Sequence, residues 1–291
     1  MSTTAANYPP YPHFLLTHPS SQPCTLYVEI NRPQKLNAFS APMFSELQDI
    51  FERVRLDSGI RVVILSGAGE RAFTAGLDLQ GALGISNSGL KEGEGQIGRD
   101  SYREARKVRE TILQWQKAVN AVEGCGKPVI AILHGVSYGL ALDLTSACDI
   151  RICTRSTRFS LKEVDIGLAA DLGTLTRLPK IVGSMSWVKE IAYTCREFGG
   201  EEALRMGFVS WCEEGKEDAW KRALEVAGAV GVKSPVAVEG TKELLDWGVG
   251  RPVRDGLRYT QIWNAPAILA ADVKEAVTAT LQKRKPNFSK L

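Results

Sequence analysis

The sequence lacks most of the patterns that would fix its class at a glance. No run of about 18 uninterrupted apolar residues occurs, so no transmembrane helix is expected. Histidine is scarce, three in 291 residues, and the six cysteines (Cys24, Cys125, Cys148, Cys153, Cys195, Cys212) make no C-x-x-C pair. A zinc site therefore has few ligands to draw on, and cysteines scattered over a chain this long read as reduced thiols. The G-x-S-x-G nucleophile elbow is missing. So is a P-loop, because no G-K-[ST] follows the glycines of SGAGERAFTAGLDL (66–79). In that segment Ala72 stands where a dinucleotide fingerprint needs its third glycine. The N-terminus has no charged start followed by a long apolar run, so no secretory signal is expected. Neither sign of charge dominates: 36 Lys+Arg against 33 Asp+Glu leave a formal +3. That balance argues against a nucleic-acid binder working through a broad basic surface.

What is present is ordinary for a globular protein: 44% hydrophobic and 24% charged residues, ample for a buried core. The length permits one large domain or two smaller ones. TLYVEINRP (25–33) alternates and stops at a proline, so it reads as a strand. SAPMFSELQDIFERVRLD (40–57) sets Met43, Phe44, Leu47, Ile50, Phe51 and Val54 at helical spacing. Ser40 is its expected cap, with Pro42 in the first turn. IRVVILSGAG (60–69) is a continuous apolar run closed by glycines, the mark of a strand buried on both faces. KPVIAILHG (127–135) repeats that pattern, a helix near 140–148 follows, and DIRICT (149–154) reads as another strand. Strands alternating with helices predict a mostly parallel sheet in an α/β layer fold.

The first ten or so residues, rich in Pro, Tyr and Thr, read as disordered, and a flexible N-terminus is drawn at 1–20. Residues 80–99 (QGALGISNSGLKEGEGQIGR) are glycine-rich and read as a mobile loop, either an active-site cover or a plain surface insertion. A long amphipathic helix to about residue 122 is expected to turn Tyr102, Ala105, Val108, Ile112, Trp115 and Val119 to one side. From residue 185 the chain reads as largely helical, at 185–194, 217–230, 235–247, 253–264 and 271–285. An α/β core over 21–200 is thus expected to give way to a helical region over 201–288. The final Ser289, Lys290 and Leu291 spell S-K-L, a peroxisomal address read by an import receptor; the other reading is a frayed basic tail.

The acidic residues carry the chemistry. LKEVDIGLAADLG (161–173) sets Glu163, Asp165 and Asp171 among Val, Ile, Leu, Ala and Gly. Asp143 lies in GLALDLTSACD, flanked by Leu140, Leu142 and Leu144. A carboxylate in such surroundings is costly unless it is paired, neutralised or used. Asp143, Glu163 and Asp171, all within 29 positions, point to tuned acids and bases. The competing reading makes each a helix cap or a salt-bridge partner. Glycines at strand ends, in SGAGERAFTAGLDL and in HGVSYGLALD (134–143), let backbone N–H groups face a ligand. Two such loops would make an oxyanion hole. Nucleophiles are poorly represented. The histidine nearest Cys125 in sequence is His134, which reads as structural, and His13 and His18 fall in the N-terminal segment. KEAVTATLQKRKPNFSKL reads either as phosphate-binding or as a solvated helix end.

Five segments, INRPQKLNAFS, VVILSGAGERAFTAGLDL, KPVIAILHG, ACDIRICT and KEVDIGLAADLGTLTRLPKIVG, together resemble the crotonase (enoyl-CoA hydratase/isomerase) superfamily. The resemblance runs from about residue 25 to 288 and is greatest to the peroxisomal Δ3,5-Δ2,4-dienoyl-CoA isomerases. It implies a spiral of repeated ββα units with a helical C-terminal region that trimerises, giving a homotrimer or homohexamer. It implies an acyl-CoA substrate whose thioester oxygen lies between two backbone N–H groups, which map to Leu77 and Leu140. Leu77 follows an Ala75-Gly76 pair as in the family, whereas Leu140 stands where the family usually has glycine. Typical hydratases carry glutamates at the positions of Asp143 and Glu163 and a glycine at that of Asp171. The dienoyl-CoA isomerases carry Asp, Glu and Asp, as this chain does. By the same likeness Lys35 and, from a neighbouring subunit, Lys283 meet the phosphates of coenzyme A, and backbone around Ala75 holds the adenine. No metal or redox cofactor is implied, since coenzyme A belongs to the substrate; neither nucleic acid nor membrane is an expected partner.

The implied reaction suits three carboxylates. Removing the C2 proton of a 3,5-dienoyl thioester gives a dienolate whose charge spreads from the thioester oxygen to C6. N–H donors at that oxygen stabilise the charge where it develops. Returning the proton at C6 gives the 2,4-diene. C2 and C6 are roughly 4–5 Å apart, too far for one short side chain to serve both within hydrogen-bond reach. The expected assignment is Glu163 as base at C2 and Asp171 as acid at C6, with Asp143 orienting or polarising them; the two proton roles can be exchanged on this reading. An apolar setting is expected to raise at least one of the pKa values. The alternatives are an enoyl-CoA hydratase, a crotonase with a specialised secondary-metabolism substrate, or an idle acyl-CoA-binding homologue, the last suggested by Leu140.

Overall fold

The computed structural model describes residues 2–5, 7–78 and 101–291. Among them eleven strands form two sheets. The larger sheet holds, side by side, β1 (Ser2–Thr4), β2 (Phe14–Pro19), β3 (Thr25–Ile30), β4 (Val62–Gly67), β6 (Val129–Leu133), β8 (Ile150–Thr154) and β11 (Trp211–Glu213). The smaller holds β10 (Phe198–Gly199), β9 (Arg158–Ser160), β7 (Val136–Tyr138) and β5 (Ala72–Thr74). The larger sheet is parallel from β3 to β11, with β1, β2 and β3 an antiparallel edge. In the smaller sheet β5, β7 and β9 are parallel.

The expected ββα repeat is visible in the strand assignments. β4, β6 and β8 each enter the large sheet, and the strand that follows each of them enters the small one. The helices are α1 (Ala41–Leu56), α2 (Ser101–Glu123), α3 (Leu140–Ser146), α4 (Thr174–Ile181), α5 (Met185–Thr194), α6 (Gly200–Arg205), α7 (Lys216–Gly231), α8 (Pro235–Gly248), α9 (Val253–Ala267) and α10 (Ala271–Leu281). Ser40 caps α1, and all six residues expected on its apolar face are buried. No described helix is long and apolar enough to cross a membrane.

The large sheet is covered on both faces, which is why β4 and β6 read as unbroken apolar runs. Val63, Leu65, Val129, Ala131 and Leu133 join the main core with α1 and α3. Val62, Ile64, Ile130, Ile132 and Ile152 face the other way, against Ala219, Ala223 and Ala227 of α7. Alanines at four-residue spacing form one stripe and let a helix lie close on the sheet. Each buried Ile or Leu contributes about 1.5–3 kcal/mol.

Three expectations change. The described residues within 1–20 are not a loose segment: Phe14 and Leu16 are buried, β2 pairs with β3, and β1 pairs with β2. His18 lies in β2, and His13 Nδ1 meets Glu46 Oε1 at 2.7 Å. The alternation of FLLTHP was there to read; the proline-rich flanks masked it. The boundary near 200 also moves. β11 is the seventh strand of the large sheet and α7 covers that sheet's second face, so residues through Gly231 belong to the core. Finally, α2 buries Ala118, Val119 and Val122, whereas Tyr102 and Val108 are exposed. The glycine-rich segment 80–99 lies outside the described residues.

Candidate active site

Parallel neighbours end at the same edge of a sheet. β5, β7 and β9 therefore deliver their following loops to one place. Ala75-Gly76-Leu77 leaves β5, Gly139-Leu140 leaves β7, and Leu161-Lys162-Glu163 leaves β9. The approach is close. A Cβ built on Gly76, at φ 97°, would sit 3.1 Å from Tyr138 O and 3.8 Å from Leu140 N. One built on Gly139, at φ 51°, would sit 3.1 Å from Glu163 Oε1. Both positions thus require glycine for conformation and for space.

The first loop is clamped from segment 32–39. Ala75 N donates to Leu36 O (2.9 Å), Phe39 N to Gly76 O (2.8 Å) and Asp78 N to Phe39 O (2.8 Å). Thr74 Oγ1 donates to Asn37 O at 2.7 Å. Asn37, fully buried, donates from Nδ2 to Ala68 O (3.0 Å) and Ala72 O (2.8 Å). This bonding fixes the residues on either side of Leu77 and leaves the Leu77 N–H without an acceptor among the described residues. Leu140 is the first residue of α3, a position whose N–H has no intrahelical partner. The two N–H groups mapped as an oxyanion hole are therefore both open donors, on loops that touch. The Leu140 side chain is 3% exposed and packs in the main core, so the leucine presents its backbone to the cleft without its bulk filling it.

The carboxylates lie beside these donors. Asp143, one helical turn past Leu140, is 2% exposed. Its Oδ1 accepts from Thr174 N and Thr174 Oγ1, both at 2.7 Å. Burial pushes its carboxyl up to about 6 against the pull of those two bonds, and the Asp171 charge raises it further. Glu163 is pushed up to about 7, first by burial and then by the Asp143 charge. Its Oε2 is buried and has no hydrogen-bond partner among the described residues. A buried carboxylate oxygen without a partner is free to take a proton from a substrate. Asp171 is raised by burial, yet the residue is exposed at the rim. That corrects the apolar burial expected from its neighbours, since Leu168 is exposed too and only Leu172 turns inward. Asp171 lies near enough to raise both other carboxyls, and its backbone C=O accepts from Gln116 Nε2 at 2.6 Å.

The remaining residues separate. Lys35 ends a 3-10 turn (Pro33–Lys35) and is exposed, one position before the Leu36 carbonyl that holds Ala75, so Lys35 and Ala75 are neighbours. Lys283 lies past the end of α10 and is exposed. Ser289, Lys290 and Leu291 are exposed, and Arg61 Nη2 anchors the tail through Phe288 O (2.7 Å) and Ser289 O (3.3 Å). His134 is structural. It is buried, its Nε2 bonds Gly69 O at 2.9 Å, and burial lowers it to about 4. Two contributors escaped the sequence reading, Asn37 and Thr174, and a third, Gly139, was covered only by its segment, HGVSYGLALD. Gly139 alone had a signal, as a glycine just ahead of a helix. A groove of about 1120 Å³ between α8 and the core is lined in part by Asp171, and Glu163 is not among its lining residues.

The chain matches the family described as enoyl-CoA hydratase/isomerase over residues 21–290. It is 40% identical over 275 residues to the mitochondrial Δ(3,5)-Δ(2,4)-dienoyl-CoA isomerase of Mus musculus, covering 94% of this chain and 82% of that one. It is 41% identical over 262 residues to the peroxisomal Δ(3,5)-Δ(2,4)-dienoyl-CoA isomerase of Arabidopsis thaliana, covering 90% and 91%. Among solved structures, the enoyl-CoA hydratase of Bacillus anthracis superposes with a TM-score of 0.83 at 28% identity, over 96% of this chain and all of that one.

Proposed function

The chain belongs to the enoyl-CoA hydratase/isomerase family, and from that premise we propose that it isomerises 3,5-dienoyl-CoA to 2,4-dienoyl-CoA by a two-carboxylate proton shuttle. One observation carries the choice of reaction: a third carboxylate, Asp171, stands beside the Glu163–Asp143 pair and couples electrostatically to both. The thioester oxygen takes the Leu77 and Leu140 N–H groups. Glu163 removes the C2 proton with its unpartnered oxygen, and the electron pair moves into a dienolate held at the thioester oxygen. Asp171 delivers a proton to C6, and the double bonds settle at C2 and C4. Each N–H donor aimed at such an oxygen is worth about 2.7–4 kcal/mol in the barrier. Burial raises all three carboxyls, so one group can hold a proton while another is ionised at neutral pH, and the proton roles of Glu163 and Asp171 are exchangeable on this reading. No group outside the chain and the substrate takes part in these steps.

Lys35, Ala75 and Lys283 are proposed to hold the coenzyme A moiety, Lys283 from a second copy. The apolar side chains exposed on α9, on α10 and between them, among them Leu257, Ile262, Leu269 and Leu281, support a homo-oligomer. The accessible Ser289-Lys290-Leu291 supports a peroxisomal compartment, as in the Arabidopsis relative; the mammalian relatives at similar identity are mitochondrial. Appending residues after Leu291 abolishes import if that tripeptide is the address.

The test is an absorbance assay on 3,5-dienoyl-CoA, following the conjugated 2,4-diene, with Asp171→Gly alongside. Conversion by the wild type and loss of most of the rate in the variant support the shuttle. Hydration of 2-enoyl-CoA with no isomerisation replaces the reading with a hydratase. Binding of acyl-CoA without turnover of either overturns both.

A further inference from the structure

We infer that Thr174 is a positioning residue for this reaction, holding the Asp143 carboxylate ionised so that the site's exchangeable protons stay on Glu163 and Asp171. The inference rests on the isomerase reading above. Gly173, at φ 142°, turns the chain so that Thr174 opens α4 with its N–H and its hydroxyl both directed at Asp143 Oδ1, each at 2.7 Å. Both residues are almost wholly buried, at 1% and 2% exposed. Among the described residues no cation forms an ion pair with Asp143. The charged groups that act on it are Asp171, Glu163 and Arg177. Arg177 is committed to Glu123 of α2, through Nε at 3.1 Å and Nη2 at 2.7 Å, and to Asn120 Oδ1 at 2.7 Å. Asp143 thus stays charged, in a buried site among other acids, by means of two neutral donors from one residue. Hydrogen bonds to the ionised form are what favour that form. An ionised Asp143 in turn keeps Glu163 a strong enough base near neutral pH.

Thr174→Val keeps the shape and the backbone N–H but removes the hydroxyl; Thr174→Ser keeps the hydroxyl. The carboxyl groups are titrated by carbon NMR in the unliganded, otherwise intact protein, with Asp143→Asn to assign the signal. The expected result is an Asp143 midpoint raised by roughly one pH unit in Thr174→Val and restored in Thr174→Ser. The acid limb of the kcat/KM profile then moves to lower pH by about half a unit, kcat falling more than KM rises, because a neutral Asp143 no longer raises Glu163. Thr174→Ala reads the same quantities if valine does not pack. An Asp143 midpoint unchanged by loss of the hydroxyl overturns the inference. The NMR titration needs no substrate, so a wild type inactive on dienoyl-CoA sinks the reaction assignment and leaves the Thr174 question decided separately.

Discussion

Gly139→Ala is the sharpest test of how the site is assembled. Gly139 has φ 51° and ψ −112°, outside the regions open to residues with a Cβ. Forcing alanine there costs about 1–3 kcal/mol in backbone strain. The new methyl also meets Glu163 Oε1 at 3.1 Å and its carboxyl carbon at 3.8 Å, so relief of strain displaces Glu163, the Leu140 N–H, or both. Misdirecting one oxyanion donor lowers kcat by about 10²–10³-fold. In a chain of this size the strain lowers Tm by about 2–6 °C. Gly250→Ala is the matched control. It has φ 76°, no atom within 4 Å of the built Cβ, and lies between α8 and α9. It shares the strain without the contact, so it is expected to lose a few degrees of Tm and no activity. Thermal melting and dienoyl-CoA turnover are measured on both. A Gly139→Ala enzyme that melts lower but turns over within twofold of the wild type refutes the placement of the base and donor around this glycine.

Other outcomes follow from burial and charge. Glu163→Gln is expected to abolish isomerisation and yet raise Tm above neutral pH. The folded carboxyl, at about 7, binds its proton more tightly than the unfolded one at 4.5, so stability falls as pH rises from about 4 to 7 and stays low beyond. Removing the charge recovers at most about 3 kcal/mol, read as a Tm difference at pH 8 that vanishes at pH 4. Asp143→Asn removes the like charge beside Glu163 and shifts the acid limb of kcat/KM to lower pH; an unmoved limb contradicts the coupling. Leu140→Ala is expected to cost about 2–5 kcal/mol in stability, measured by denaturant, with KM unchanged, because its side chain fills core and not cleft. Lys242→Met leaves the half-buried Asp149 without the ammonium now 2.6 Å away, which costs about 1.5–3 kcal/mol; equal melting curves would show that α8 is held otherwise.

Strand and helix types were legible wherever one period ran long enough. The double-faced burial of β4 and β6 showed as unbroken Val, Ile and Leu, and the stripe of α1 was read residue by residue. Short strands were not. β5, β7 and β9 have three residues each, too few to show alternation, yet their common edge builds the site. β11, also three residues long, was hidden among helices, and so the core was drawn to end too early. The carboxylates were conspicuous because acids among leucines are costly, but sequence context misjudged which were buried. Asp143 is sealed, whereas Asp171 is at the surface, since hydrophobic neighbours along a loop need not point the same way.

By itself the sequence determined the α/β class, the carboxylate trio and the family likeness, because periodicity and residue type are local properties of the chain. Only the tertiary structure decided that, among the described residues, Leu77 and Leu140 keep open N–H groups and Glu163 an oxygen without a partner, and that Thr174 answers Asp143 from 31 positions away. Those facts depend on which groups find partners once distant segments pack, and on how much water each carboxyl loses. Hydrogen-bond satisfaction and desolvation are set in three dimensions, so the sequence can name the groups without assigning their states.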